Sequence, residues 1–471
     1  MQKANRFKKN DVVRVEIQDL TDLGFGVGRV EGIVIFVPDT VIGDVIEAKI
    51  IKVNASYLVG RAEKYIEKSK MRTEGRCNES ACRSCAYKNI SYSDELKLKE
   101  EGVRRIFSTE GLSHIKTMPI IASPCETRYR NKAQYPIGIT AGGEYTVGFY
   151  APKSHRVTPV GDCPLTPRVF SELCDELRGI FAEQKYTVYD EVSGVGLLRH
   201  VYIRRGEVTG EVLLTLVICG DSLHHSDELV SQLTERFPSL VGILLNINKD
   251  NTNVVLGDKF VTLWGRDYLY DVLAGVRLKI TAPSFYQVNH DCAELLYAKA
   301  RELAAPCESD ILLDLYCGAG SIGLSMARDV KELYGIEIID SAVECARENA
   351  EANGINNAVF CTGNAADTER LLESLEEELG VKVAPDIIIL DPPRAGCDER
   401  LVRFAASLNP KRIVYISCNP KTLARDVLRF IELGYNTDSV YPVDMFAMTG
   451  HVESVVCLTR RLDNELRERM N

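Results

Sequence analysis

The sequence has no apolar run approaching the roughly 18–20 residues that a membrane-spanning helix needs. Its opening stretch, MQKANRFKKND, is polar and basic and lacks the apolar h-region of a secretory signal. No internal repeat and no low-complexity tract is present, which sets aside solenoid and disordered architectures. The chain also lacks a basic excess. Its 57 Lys and Arg stand against 67 Asp and Glu, a formal net charge of −10, and that total alone argues against a nucleic-acid partner. A cytoplasmic protein without a membrane association is expected, with a monomer as the default.

What is present is an ordinary globular composition: 471 residues, 45% hydrophobic and 26% charged. At roughly 100–200 residues per domain this suggests about three domains, with cores large enough to need no covalent staples. Fifteen cysteines, an odd number, read as reduced thiols, metal ligands or catalytic groups rather than a disulfide framework.

Short β-branched runs broken by Gly and Asp, at Val12–Ile17, Gly26–Val30, Ile33–Val37, Val45–Ile50 and Tyr57–Ala62, predict a small closed barrel of the oligonucleotide-binding kind over residues 1–62. The glycines of Gly24-Phe25-Gly26-Val27-Gly28 would serve bends and bulges, since no helix signal follows them as a phosphate loop requires. Residues 63–282 form an expected central α+β domain that opens with a charged, cysteine-bearing connector and a helical stretch over Ser93–Phe107. From 283 to 471, apolar strands at Ile311–Leu315, Leu333–Ile336, Asp386–Leu390 and Arg412–Ile416 alternate with helical segments, the pattern of an α/β, parallel, doubly wound sheet. Val452–Leu458 is expected as an antiparallel edge strand.

The first of these strands runs into Asp314-Leu315-Tyr316-Cys317-Gly318-Ala319-Gly320-Ser321, ahead of a helix. Glycines there let the backbone approach a ligand at a helix N-terminus, and open α/β sheets bind ligands at the carboxyl ends of their strands. The second strand ends on Glu337, a carboxylate able to accept both ribose hydroxyls of an adenosine, with a solvated strand end as the alternative. Gly363-Asn364 and Asp391-Pro392-Pro393 follow the third and fourth strands. A GAGS turn in place of GxGxxG resembles the S-adenosylmethionine site of Rossmann-like methyltransferases rather than a nicotinamide site. Asp314 reads as an anchor of the turn and not as a cofactor contact.

The fifth strand delivers Tyr415-Ile416-Ser417-Cys418-Asn419-Pro420 to the same edge. A cysteine here is either an inert core thiol or a nucleophile, and the helix start at Lys421 would favour the thiolate. For Cys292, Cys307, Cys345, Cys361 and Cys397 the core reading is taken. Uracil carbon 5 is a poor nucleophile, and a thiolate adding to carbon 6 makes negative charge available at carbon 5 for attack on a sulfonium methyl group. A general base must then remove the carbon 5 proton so that the thiolate can leave. Glu453, within Gly450-His451-Val452-Glu453-Ser454-Val455, is an acid in an apolar strand whose burial would raise its pKa toward that task. Its alternative is an outward-facing strand carboxylate, and His451 is a weaker base candidate.

Cys77-x4-Cys82-x2-Cys85 with a distant Cys163 provides four thiolates, which suit either zinc or a [4Fe-4S] cluster by spacing. Cys125 and Cys174 match no pattern.

Taken in order, SFYQVN (Ser284–Asn289), DLYCGAGSIG, DPPRAG (Asp391–Gly396), YISCNP and GHVESV resemble the uracil-5 RNA methyltransferases of the TrmA/RumA type, close to the bacterial members that make 5-methyluridine in 23S rRNA. Residues 1–62 resemble the TRAM barrel of the ribosomal members. The resemblance implies a Rossmann-like class I methyltransferase domain with S-adenosyl-L-methionine as cofactor and RNA as partner. It implies Cys418 as nucleophile and Glu453 as proton acceptor, with Gln287, Tyr316, Ser321, Glu337, Asn364 and Asp391 at the cofactor. Position 321 is often Asn in relatives and is Ser here. By the same resemblance Asp391 also faces the uracil edge, Phe285 lies near the target base, and Cys77, Cys82, Cys85 and Cys163 hold a [4Fe-4S] cluster, although relatives often have five residues in the first gap.

The competing readings fit less well. A radical methylthiotransferase needs C-x3-C-x2-C. An amino-group methyltransferase would carry an aromatic where Arg394 stands, and a cytosine-5 enzyme would place its cysteine beside the fourth-strand prolines, where Cys397 does not fit. A non-catalytic iron-sulfur RNA-binding protein should have lost Cys418 or Glu453, and a transfer RNA substrate is the alternative to ribosomal RNA. Residues 305–380 hold 16 acidic and 4 basic side chains, a net of −12, so the other 395 residues sum to +2. Basic clusters at Arg128, Arg130 and Lys132, at Lys153, His155 and Arg156, at Arg199, His200, Arg204 and Arg205, and at Lys421 and Arg425 then suit a phosphate-holding surface.

Overall fold

A computed structural model describes residues 6–21, 24–77, 82, 84–151, 154–159, 161–379 and 382–461. The chain divides into two compact units, one made of residues 1–101, 151–153 and 446–451, the other of 102–150, 154–445 and 452–471. Among the described residues no helix is long and apolar enough to cross a membrane.

In the first unit the strands Val12–Leu20, Gly26–Val30, Ile33–Val37, Tyr57–Glu67 and Val45–Val53 close, in that order, into a barrel. Period-two alternation along each strand turns Val15, Ile17, Ile35, Val37, Ile46, Ala48, Ile50 and Leu58 into the interior. Gly28 pairs with Ile17, where the register shifts before Asp19. A Cβ there would stand 2.4 Å from Val15 Cγ2, so the strands pass too closely for a side chain. Buried Asp44 accepts hydrogen bonds from Arg72 Nη2 at 2.6 Å, the Val41 amide at 2.7 Å and the Ser69 amide at 2.9 Å, tying the barrel to the chain that follows it. The helix expected over Ser93–Phe107 runs from Tyr92 to Thr109.

The second unit contains two large sheets. Counted over the described residues, one has seven strands in the order Lys259–Gly265, Leu240–Ile247, Val212–Ile218, Leu198–Arg205, Lys132–Ile139, Tyr145–Tyr150 and Val157–Pro159. The helices Arg168–Gln184 and Ser226–Arg236 bury Phe170, Leu173, Leu177, Phe181, Leu229 and Leu233 in its core.

The other sheet runs Ala358–Thr362, Glu332–Glu337, Ile311–Leu315, Ile387–Leu390, Arg412–Ser417, Glu453–Arg460, Ser439–Val443 and Lys116–Thr117, with Tyr435–Asn436 pairing off that path. Its first five strands are parallel. The chain builds outward from Ile311–Leu315 to one side and then, after Ala358–Thr362, to the other. That reversal opens a crevice at the carboxyl ends of Ile311–Leu315 and Ile387–Leu390, where doubly wound sheets hold their ligands.

One expectation is corrected. The strand anticipated as an edge is antiparallel but interior, pairing Arg412–Ser417 on one side and Ser439–Val443 on the other. Its residues from Glu453 to Val456 are buried on both faces, as an interior strand requires. The covering strand is short and carries Pro442, which weakens its own strand signal.

Candidate active site

The turn after Ile311–Leu315 is left-handed at Tyr316 (φ 67°), Gly318 (φ 54°) and Gly320 (φ 80°), and the helix Ser321–Met326 starts directly behind it. Both Glu337 carboxylate oxygens accept backbone amides, from Gly318 at 3.1 Å and Ile339 at 3.1 Å, so the acidic end of the second strand is fixed against the turn. Asp314 is buried. Its Oδ2 accepts the Gly323 amide at 2.9 Å while Oδ1 has no hydrogen-bond partner among the described residues, which fits an anchor of the turn. Ser321 Oγ shares a 2.8 Å hydrogen bond with buried Tyr297 Oη, so its hydroxyl is engaged by the protein. Asn364 is exposed after the third strand. The Tyr316 hydroxyl meets the Cys397 thiol and its ring rests on the apolar core.

Asp391 and Arg394 sit on the loop after Ile387–Leu390, and that loop is clamped to the helix Pro420–Glu432. Asn419 Nδ2 donates to the Arg394 carbonyl at 3.1 Å and Arg425 Nη2 to the Ala395 carbonyl at 2.9 Å. Fully buried Asp426 accepts the Cys397 amide at 2.9 Å, Tyr415 Oη at 2.8 Å and Arg429 Nη1 at 3.0 Å. The sequence offered no pattern for Asp426; only its place on the inward face of an amphipathic helix marked it.

Ser417 and Ser454 are opposed partners at the ends of the two central strands. Cys418 is the next residue on one strand and Glu453 the next on the other, so both arrive at the same point of the sheet edge. Glu453 is 4% exposed, and burial, followed by the charge of Asp391 and opposed by Arg394, pushes its carboxyl up to about 8. Burial alone pushes Asp391 up to about 7, and Asp314 rises to about 8 through burial and the charges of Asp391 and Glu337, against the Gly323 hydrogen bond. The Cys418 thiol is also pushed up, first by burial, then by Glu453 and, more weakly, Asp391; Arg394 opposes this by its charge and a hydrogen bond. The expected thiolate preference from the helix start is therefore outweighed, and Arg394 is the cation that counters it.

Phe285 is 67% exposed on the loop between Val276–Thr281 and His290–Ala304. Around it the backbone is held tightly. Arg204 donates from Nε to the Ala282 carbonyl at 3.0 Å and from Nη2 to the Ser284 carbonyl, Tyr286 Oη donates to buried Asp271 at 2.9 Å, and Asn131 Nδ2 donates to the carbonyl of buried Gln287 at 2.8 Å.

The basic clusters need correction. Arg199, His200 and Arg204 are buried, not solvated. Arg199 Nη1 donates to the Asn248 carbonyl at 2.9 Å and the Asp250 carbonyl at 2.8 Å, and burial, aided by Arg199, pushes His200 down to about 4. The strand Leu198–Arg205 lies inside the sheet, so apart from Arg205 its cations brace loops. Lys153 lies outside the described residues. Cys307 is exposed in a turn with Asp310, against the core reading, whereas Cys292, Cys345 and Cys397 are buried.

Cys77, Cys82, Cys85 and Cys163 are partly exposed, and residues 78–81 and 83 lie outside the described ones. Among the described residues no group of three or more His, Cys, Asp or Glu side chains is gathered for a metal ion.

Comparison with known proteins adds the following. A family model described as tRNA (Uracil-5-)-methyltransferase matches residues 256–461, and a TRAM domain model matches residues 6–62. An uncharacterised RNA methyltransferase of Halalkalibacterium halodurans is 38% identical, covering 96% of this chain and 97% of the relative. One from Clostridium acetobutylicum is 37% identical, covering 98% and 99%. Among solved structures, the Pyrococcus abyssi tRNA (uracil-54, C5)-methyltransferase in complex with S-adenosyl-L-homocysteine is similar with a TM-score of 0.75 at 28% identity, covering 95% of this chain and all of that one.

Proposed function

The chain belongs to the tRNA (uracil-5-)-methyltransferase family of S-adenosylmethionine-dependent RNA methyltransferases, and from that premise we propose that it makes 5-methyluridine at one or two sites of 23S rRNA through a covalent bond between Cys418 and carbon 6 of the uracil. The observation that carries this reading is the arrival of Cys418 and Glu453 at the same point of the sheet edge, with Asp391 and Arg394 acting electrostatically on both.

The chemistry of the edge suits the cofactor. Asp314, Glu337, Asp391 and Glu453 converge at the carboxyl ends of the strands, and three of them hold protons above the ordinary carboxylate range. A cationic sulfonium relieves that crowding. Gln287, Tyr316, Glu337 and Asp391 are the residues we assign to it, with Ser321 and Asn364 at its margin; when bound it supplies an electrophilic methyl carbon.

The protein's own groups do the rest. Arg394 stabilises Cys418 as a thiolate, and its sulfur bonds to uracil carbon 6 while the ring electrons move to carbon 5 and the carbonyl oxygen. Once carbon 5 has taken up the methyl group, it still carries its proton. Glu453, deprotonated, accepts that proton, the carbon 5–carbon 6 double bond re-forms and the sulfur leaves. Asp391 and Phe285 orient the base. Held on a braced loop, Phe285 offers an aromatic face to an unstacked nucleotide.

Ribosomal RNA is favoured by the barrel ahead of the catalytic unit and by the motif set. A transfer RNA substrate is the second reading, supported by the Pyrococcus abyssi enzyme. Purified rRNA and tRNA, each incubated with the protein and methyl-labelled cofactor and digested to nucleosides, separate them: label in 5-methyluridine from 23S rRNA is expected, and label only in tRNA overturns the ribosomal assignment.

We also assign Cys77, Cys82, Cys85 and Cys163 to a [4Fe-4S] cluster, because four soft thiolates suit iron-sulfur chemistry. No catalytic step passes through them. Anaerobic purification followed by iron and sulfide analysis is expected to give about four of each per chain; zinc in their place would contradict the assignment.

A further inference from the structure

Beneath the Phe285 loop three cations stand together, none of them paired with a carboxylate among the described residues. Lys132 and Arg204 are opposed partners on the antiparallel strands Lys132–Ile139 and Leu198–Arg205. Opposed residues share one face of a sheet, and like charges so placed repel. Arg130, two residues before Lys132, bridges to Asn289 through its backbone, and its Nε is buried with no hydrogen-bond partner among the described residues. Arg204 is 3% exposed and directs its guanidinium to Tyr202 Oη, the Ala282 carbonyl and the Ser284 carbonyl. Lys132 is driven down to about 8 by burial, then by Arg204 and Arg130, with no acidic group acting on it.

Their neighbours differ. Arg128 is paired with Asp162 at 2.5 Å and Arg205 with Glu207 at 2.6 Å. Among the described residues, none of Arg130, Lys132 and Arg204 has an ion-pair partner. Partly buried cations without a counter-charge are costly, and an anion seated among them removes the cost. The carbonyls that Arg204 holds flank exposed Phe285, so the cations and the aromatic face belong to one loop environment. Single-stranded RNA is held by that combination, phosphate on cations beside a base on an aromatic ring.

We propose that Arg130 and Lys132, backed by the buried charge of Arg204, form the binding site for a phosphodiester of the RNA substrate, adjacent to the nucleotide that meets Phe285. This rests on the RNA methyltransferase reading above.

The test uses the full-length protein and fluorescein-labelled oligouridylate, with Kd measured by anisotropy across a KCl series. Lys132→Met and Arg130→Met are each expected to weaken binding on the order of tenfold and to reduce the slope of log Kd against log salt by about 0.7 for each phosphate no longer neutralised. Lys132→Arg should keep the wild-type slope. Without RNA, Lys132→Met should melt no lower than wild type, because it removes an uncompensated cation. An unchanged slope in both Met variants overturns the proposal, as does a wild-type protein that does not bind the oligonucleotide. A wild-type protein that binds with the expected slopes yet transfers no methyl group to any RNA would instead overturn the methyltransferase reading and leave the phosphate site standing.

Discussion

At the residue scale the account turns on protons. The Glu453 carboxyl titrates near 4.5 when exposed and near 8 in the folded protein. Between those values the unfolded chain has lost the proton that the folded one keeps, so this group's contribution to stability falls as pH rises from about 4.5 to about 8 and is level above. Glu453→Gln should abolish that fall. At about 1.4 kcal/mol per pKa unit, and allowing for relaxation of the site, it should be more stable than wild type by on the order of 1–3 kcal/mol at pH 8. Chemical denaturation at pH 5 and pH 8 checks this, and a gain that does not grow with pH contradicts it. Arg394→Met should raise the Cys418 thiol further, since it removes a cation that lowers it. Iodoacetamide alkylation of Cys418 against pH should shift to higher pH in the variant. That Cys418 and Glu453 meet at one sheet edge was legible in the sequence, because the proposed chemistry needs both. Arg394 was noted there only for what it excluded, since its action on the thiol depends on a fold that sets it beside the cysteine.

At the scale of elements, the Asp391–Gly396 loop is held against the helix Pro420–Glu432 by Asp426. Asp426→Ala would leave the buried Cys397 amide and Tyr415 hydroxyl without their acceptor and is expected to cost about 2–4 kcal/mol. Gly396 has φ 76°, and a Cβ there would stand 2.5 Å from Asp426 Oδ2. Gly396→Ala should therefore cost about 1–2 kcal/mol from backbone strain alone, and thermal unfolding of both variants tests the ranking. Four of the five parallel strands could be located from their apolar runs to within a residue or two, all but Ala358–Thr362. The interior position of Glu453–Arg460 could not, because the strand that covers it is short and contains a proline. Asp426 was equally hidden: Arg425 and Arg429 lie on its own helix, but the Tyr415 hydroxyl and the Cys397 amide that it also holds come from other elements and leave no local pattern.

At the scale of the whole molecule, the net charge of −10 conceals a division: residues 305–380 sum to −12 and the other 395 residues to +2. Nearness of cations in sequence misled where Arg199, His200 and Arg204 lie within the sheet, because that strand is interior and buried on both faces up to Arg205. The carboxylates crowding the strand ends predict a linkage. A bound sulfonium should release protons near pH 7–8 as Asp314, Asp391 and Glu453 shift toward their ordinary range, whereas neutral S-adenosylhomocysteine should release fewer. Calorimetric titrations in buffers of different ionisation enthalpy measure the difference, and equal release by both ligands contradicts it. The central claim, that Cys418 bonds covalently to the uracil, is tested most directly with RNA in which uridine is replaced by 5-fluorouridine. After methyl transfer, carbon 5 would hold fluorine instead of a removable proton, so a base such as that proposed for Glu453 would have nothing to remove and the enzyme would stay attached. Incubation with S-adenosylmethionine should give a denaturation-stable protein–RNA adduct whose mass places the nucleotide on Cys418; methylation of ordinary RNA by Cys418→Ala, or an adduct on another residue, would contradict the account.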